Sequence, residues 1–173
     1  QSPHLYRGRL PAALLADMTV ILRNAQHLSK LVDDILDLSQ IEAGRMALSK
    51  AWNDIRLVAA EAAEAVRPLF ATKRLALALE VAEDLPPVYC DQTRVRQVMI
   101  NLLSNGGRFT EQGGVRLQIW QEDDLLRMCV RDTGPGIRPE DQVHLFEPFQ
   151  QLDASIRRKH GGSGLGLNIT KHF

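Results

Sequence analysis

Between Pro11 and Ile41, apolar side chains recur at alternating steps of four and three: Leu14, Met18, Ile21, Ala25, Leu28, Val32 and Ile35. This is a heptad seam, the spacing that keeps one stripe of a helix against a partner helix. Leu15, Leu22, Leu31, Leu36 and Leu38 widen the stripe. A helix of roughly 30 residues runs about 45 Å. A chain of 173 residues cannot cover such a rod with its own core. The seam calls for another helix, and a second copy of the chain supplies one by symmetry. The alternative is an ordinary amphipathic core helix.

Gly44 ends this helix, and Met46 to Trp52 reads as a short extended segment. Asn53 or Asp54 caps a second helix carried by Ile55, Val58, Ala59, Ala62 and Val66, which Pro68 should end or kink near Leu69. Leu75, Leu77, Leu79 and Val81 alternate as a strand with one buried face. After Pro86-Pro87 and a brief extended piece from Val88 to Cys90, Asp91 caps a third helix. Val115, Leu117 and Ile119 mark a strand, Glu122-Asp123-Asp124 a hairpin turn, and Leu126, Met128 and Val130 the returning strand. Mixed in this order, the elements predict an α+β protein, a two-layer α/β sandwich on a mixed sheet behind the long helix.

Twenty-one basic residues balance twenty-one acidic ones. That argues against a nucleic-acid binder, which carries a basic surface. Cys90 and Cys129 are isolated in apolar runs and read as reduced core thiols. No signal peptide and no bilayer-length apolar run occur in these residues, so no membrane contact and a cytoplasmic location are expected. A longer parent protein could still be membrane-anchored.

The third helix carries Asn101-Leu-Leu-Ser-Asn-Gly-Gly-Arg-Phe-Thr110. Asn101 and Asn105 fall one turn apart, and Arg108 lands on nearly the same face. Two carboxamides and a guanidinium are costly to bury without partners, so the stripe suggests a ligand site. Downstream, Asp132-Thr-Gly-Pro-Gly-Ile137 places a carboxylate at a strand end, an acceptor suited to an exocyclic amino group such as that of adenine. Gly134 and Gly136 permit close backbone approach there. Gly161-Gly-Ser-Gly-Leu-Gly-Leu167 opens a last helix, an arrangement that offers N–H groups to an anion. No Lys-Ser/Thr follows as in a P-loop, and the segment does not open the first strand–helix unit as a dinucleotide fingerprint does. Between them lie Leu145-Phe-Glu-Pro-Phe149 and the polar stretch Gln150 to His160, whose Arg157-Arg158-Lys159 could close over polyphosphate.

In this order and spacing the motifs resemble the catalytic ATP-binding domain of sensor histidine kinases, within the wider family that includes Hsp90, DNA gyrase and MutL. Asn101–Thr110 is similar to the N box, Asp132–Ile137 to the first G box, Phe146–Phe149 to the F box and Gly162–Leu167 to the second G box. Leu31 to Gly44 resembles the end of the second dimerisation helix of those kinases. The resemblance implies the Bergerat ATP-binding fold over residues 45–173, with residues 1–44 a remnant of the dimerisation domain. It implies ATP and Mg²⁺ as ligands, with Asn105 the metal ligand, Asn101 and Arg108 acting at the phosphates, and Asp132 reading adenine. Gly134, Gly136 and Ile137 line that wall. Phe146, Phe149, Gly162, Ser163, Gly164, Leu165 and Gly166 form the remaining boundary of the cofactor site. A homodimer through the first helix and a response-regulator receiver domain are the implied partners.

The departures are specific. Arg108 stands where the family usually has Lys, keeping the charge with a different shape. Asn101 stands where ATPase branches carry a water-activating Glu, and a carboxamide is no general base, so transfer to a histidine is favoured over hydrolysis. The phosphoacceptor motif His-Glu-Leu-Arg-Thr-Pro is not matched; His4 is followed by Leu5. The expectation is therefore a chain without its acceptor helix and final strands. Gly106 and Gly107 replace the usual Ala after Asn105, at about 1 kcal/mol each relative to Ala, and are expected to fray the helix end. A non-catalytic signalling module of the same fold and an ATPase clamp are the other readings.

Overall fold

The computed structural model describes residues 11–150 and 163–173. Helix α1 spans Ala12–Glu42. It ends as expected at Gly44, whose φ of 63° is left-handed and whose N–H reaches the carbonyl of Ile41. Most of its seam faces outward: Ile21 is 67% and Leu28 62% exposed. Only Asp34 and Leu38, near its C-terminal end, are buried.

Helix α2 spans Ile55–Lys73 and is capped by Asp54, which accepts from the backbone N–H of Arg56. Ile55, Val58, Ala59, Ala62, Val66 and Phe70 form its buried stripe. Pro68 does not end this helix. Val66 and Phe70, buried on either side, hold the backbone helical across the missing hydrogen bond, and α2 stops only at Arg74 in the left-handed region.

Strands β1 (Ala51–Asn53) and β3 (Val88–Cys90) pair antiparallel, with Trp52 opposite Tyr89. The main sheet has the order β2-β4-β5, from Ala76–Val81, Gly114–Glu122 and Leu125–Asp132. β2 runs parallel to β4, and β5 returns antiparallel through Asp123 at φ 53°. Central β4 buries Val115, Leu117 and Ile119 almost completely. β2 lies at the sheet edge, so its expected buried face is only partial: Leu77 is half-buried and Leu79 exposed.

Helix α3 (Gln92–Phe109) is capped by Asp91 and packs with α2 on one face of the sheet. Its glycines do not fray the helix. Gly106 and Gly107 are buried, and a Cβ on them would lie 2.9 Å from Val115 Cγ2 and 2.9 Å from the Phe70 ring, respectively. They let α3 approach β4 and α2 closely, and that packing outweighs their low helix propensity. Among the described residues two short helices follow, α4 (Pro139–Gln142) and α5 (Gly166–His172). Leu38 and Ile41 of α1 share a small second core with Leu165, Ile169 and Phe173. Cys90 and Cys129 are free thiols and half-buried, because they sit on short or outer strands rather than in the core.

Candidate nucleotide site

The N-terminal turn of α3 is held by Asp91. Partial burial pushes its carboxyl up, but the N–H groups of Arg94, Ser49 and Thr93 outweigh this and hold it below the usual carboxylate range. From that anchor the helix places Asn101 in a buried position, with Asn105 and Arg108 half-buried one and two turns on. Asn101 is already engaged. Its Nδ2 donates to Thr170 Oγ1 of α5 at 2.8 Å, and its carboxamide lies against Gly166, where a Cβ would strike it. Glycine at position 166 thus serves close packing of α5 on α3.

Asp132 ends β5 at the surface, and its Oδ1 accepts from the Gly134 N–H at 2.8 Å. Around the point where a Cβ of Gly134 would stand lie Asp132 Oδ1 at 2.8 Å, the Phe109 carbonyl at 3.4 Å and Thr110 Oγ1 at 3.5 Å. Thr110 is fully buried, and its hydroxyl has no hydrogen-bond partner among the described residues. Three oxygens crowd this point more tightly than a methyl group allows, so glycine at 134 lets the turn close against the end of β5. The exposed Asp132 carboxylate beside it is an acceptor that fits a ligand presenting a hydrogen-bond donor, as an aminopurine edge does. Gly136 requires glycine for its φ of 73°, and Ile137 beside it is exposed.

The phenylalanine segment comes against the last helix. Asn168 donates to the Phe146 carbonyl at 2.8 Å, Lys171 lies 5.5 Å over the Phe146 ring, and Gly164 packs on the backbone of Phe149 and Gln150. Phe149 itself adopts φ 63° with its ring exposed. Nearby, the His144 imidazole and the Gln150 amide hydrogen-bond Glu147 and hold its carboxyl below the usual range. Ser163 donates to Asp34 of α1 at 3.0 Å and accepts from the Leu165 N–H. Asp37 of α1 receives Arg94 at 2.8 Å and Gln97 at 3.1 Å. The end of the long helix therefore holds both α3 and the second glycine segment. Gly162 and the Arg157–Lys159 run lie outside the described residues, as does His4.

Sequence reasoning missed Asp34, Thr110, Asn168 and Thr170 as members of this neighbourhood. Asp34 and Asn168 did carry a signal, since each interrupts an apolar run on its helix. Thr170 and the Thr110 hydroxyl carried none, because only the packing of α3 on α5 and of Phe109-Thr110 on Gly134 gives them a role. Among the described residues no three His, Cys, Asp or Glu side chains converge on one point.

Residues 90–173 match the family described as histidine kinase-, DNA gyrase B- and HSP90-like ATPase. The chain is 44% identical over 153 residues to the circadian input-output histidine kinase CikA of Synechococcus elongatus, an alignment covering 87% of this chain and 20% of CikA. It is 36% identical over 160 residues to the signal transduction histidine-protein kinase BarA of Escherichia coli, covering 89% and 17%. Full-length ShkA, solved in complex with AMPPNP, superposes with a TM-score of 0.79 at 34% identity, over 95% of this chain and 34% of that one. Residues 90–173 are a domain of this ATPase family, and the chain carries the catalytic ATP-binding domain of the sensor histidine kinases. It spans about a fifth of the length of these curated relatives.

Proposed function

We propose that the chain binds ATP with Mg²⁺ and directs the γ-phosphoryl group to a histidine of the dimerisation domain, as part of a two-component sensor kinase. The observation that carries the nucleotide reading is the exposed Asp132 carboxylate at the end of β5, beside the close turn that Gly134 allows. Asp132 accepts from the adenine amino group. Asn105 offers its amide oxygen to Mg²⁺, a hard ion suited to oxygen ligands, and Arg108 meets a phosphate oxygen. Bound Mg²⁺ would neutralise charge on the phosphates. Asn101 supplies no base for water, so the protein's contribution is positioning rather than hydrolysis. The AMPPNP of the ShkA structure, an ATP analogue, supports this ligand class.

The proposal divides the chain into a dimerisation remnant, residues 1–44, and a catalytic domain, residues 45–173. The long exposed seam of α1 supports a homodimer. A response-regulator receiver domain as recipient and a cytoplasmic location for this part of the protein follow from the kinase reading.

A second reading, a signalling module that binds nucleotide without turnover, is favoured by one observation: Asn101 is held by Thr170 and Gly166. Titration with AMPPNP and Mg²⁺ tests binding, and Asp132→Asn should abolish it while keeping the Gly134 hydrogen bond. A dimer that binds AMPPNP yet, given its acceptor domain, never acquires acid-labile phosphate from ATP would favour the second reading.

A further inference from the structure

Lys73 is the last residue of α2, and its ammonium donates to three main-chain carbonyls at the end of α3: Gly107 at 2.8 Å, Arg108 at 2.7 Å and Thr110 at 2.7 Å. The last carbonyls of a helix have no partners within it, and a cation there also meets the negative end of the helix dipole. All three donors of the ammonium are used. The backbone this side chain grips is the backbone of the candidate site. It carries Arg108, and it sets the Phe109 carbonyl and the Thr110 hydroxyl against Gly134, next to Asp132.

We propose that Lys73 is a positioning residue for the nucleotide site. It holds the backbone of residues 107–110 so that Arg108 and the Thr110 wall keep their place relative to Asp132. The inference rests on the nucleotide reading above. Arginine is no substitute, because three carbonyls converge on one nitrogen and the donors of a planar guanidinium diverge.

The test compares AMPPNP–Mg²⁺ affinity by calorimetric titration, thermal midpoints and amide hydrogen exchange in this chain, Lys73→Met, Lys73→Gln, Lys73→Arg and Ala62→Gly. Ala62 is fully buried in α2 and serves as a destabilised control. Lys73→Met should weaken AMPPNP at least tenfold and speed exchange selectively at residues 107–112. Lys73→Gln, which keeps part of the donor set if the Met variant fails to fold, should weaken it about fivefold. Lys73→Arg should not restore affinity, and Ala62→Gly should lower the midpoint while leaving affinity within twofold. Unchanged affinity in the Met or Gln variant, full affinity in Lys73→Arg, or an equal loss in Ala62→Gly overturns the proposal. Failure of the unsubstituted chain to bind AMPPNP overturns the nucleotide reading and the proposal together. Binding by that chain with an unaffected Lys73 series removes only the proposal.

Discussion

The Asn101 carboxamide donates to the Thr170 hydroxyl at 2.8 Å and so ties the middle of α3 to the helix that follows the second glycine segment. Gly166 closes the other side of the same carboxamide. On the proposed kinase reading this position departs from the ATPases, and in the fold it is a packing contact. Asn101→Glu introduces the water base of the ATPases into a space sized for a shorter, neutral side chain. Overpacking there costs about 2 kcal/mol. The expected outcome is a lower urea midpoint and no gain in phosphate release; sustained ATP hydrolysis by the variant would refute it.

Gly107 faces the Phe70 ring and Leu69. Alanine in its place gains about 1 kcal/mol of helix propensity but forces apart a packed core, at about 1–3 kcal/mol. Gly107→Ala should destabilise the chain by about 1 kcal/mol in urea unfolding, and a more stable variant would contradict the packing account.

Asp91 titrates below the usual carboxylate range because backbone N–H groups stabilise its charged form against the effect of burial. A carboxylate depressed on folding contributes stability above its unfolded pKa, about 3.9, and loses it as pH falls through the lower folded value. Acidification from pH 4 downward should therefore destabilise the parent chain more steeply than Asp91→Asn, which caps a helix almost equally well. Equal slopes of urea midpoint against pH would remove Asp91 from the acid response.

Ile21 and Leu28 stand exposed on α1, seven residues apart on the seam. Charges there oppose helix association without touching α3 or the sheet. Ile21→Glu/Leu28→Glu should sediment as a monomer under conditions where the parent is dimeric. The double variant should also lose helical circular dichroism, because a lone helix of this amphipathic kind depends on its partner. A dimer unchanged by both charges would place the interface elsewhere.

The elements were largely legible because each rests on local rules. The seam of α1, the Asp54 and Asp91 caps, the Asp123 turn and the alternation of β4 need no distant contact to be recognised. Pro68 and the Gly106-Gly107 pair depart from their local reading for the opposite reason. Their local costs are real, but burial of Val66 and Phe70 and the approach of α3 to β4 outweigh them. Likewise Leu79 reads as buried by periodicity and stands exposed because β2 has, among the described residues, a neighbouring strand on one side only.

For the candidate site, residue type and order single out Asn101, Asn105, Arg108, Asp132 and the glycines as candidates, since hydrogen-bonding capacity and backbone freedom belong to the residues themselves. What those groups touch is a property of the assembled chain. Only the tertiary structure sets Asn101 against Thr170, packs the buried Thr110 hydroxyl against Gly134, and brings Lys73 onto the end of α3. Each of these contacts joins segments 34 or more residues apart or depends on such packing, and proximity of that kind arises from core burial rather than from any local pattern.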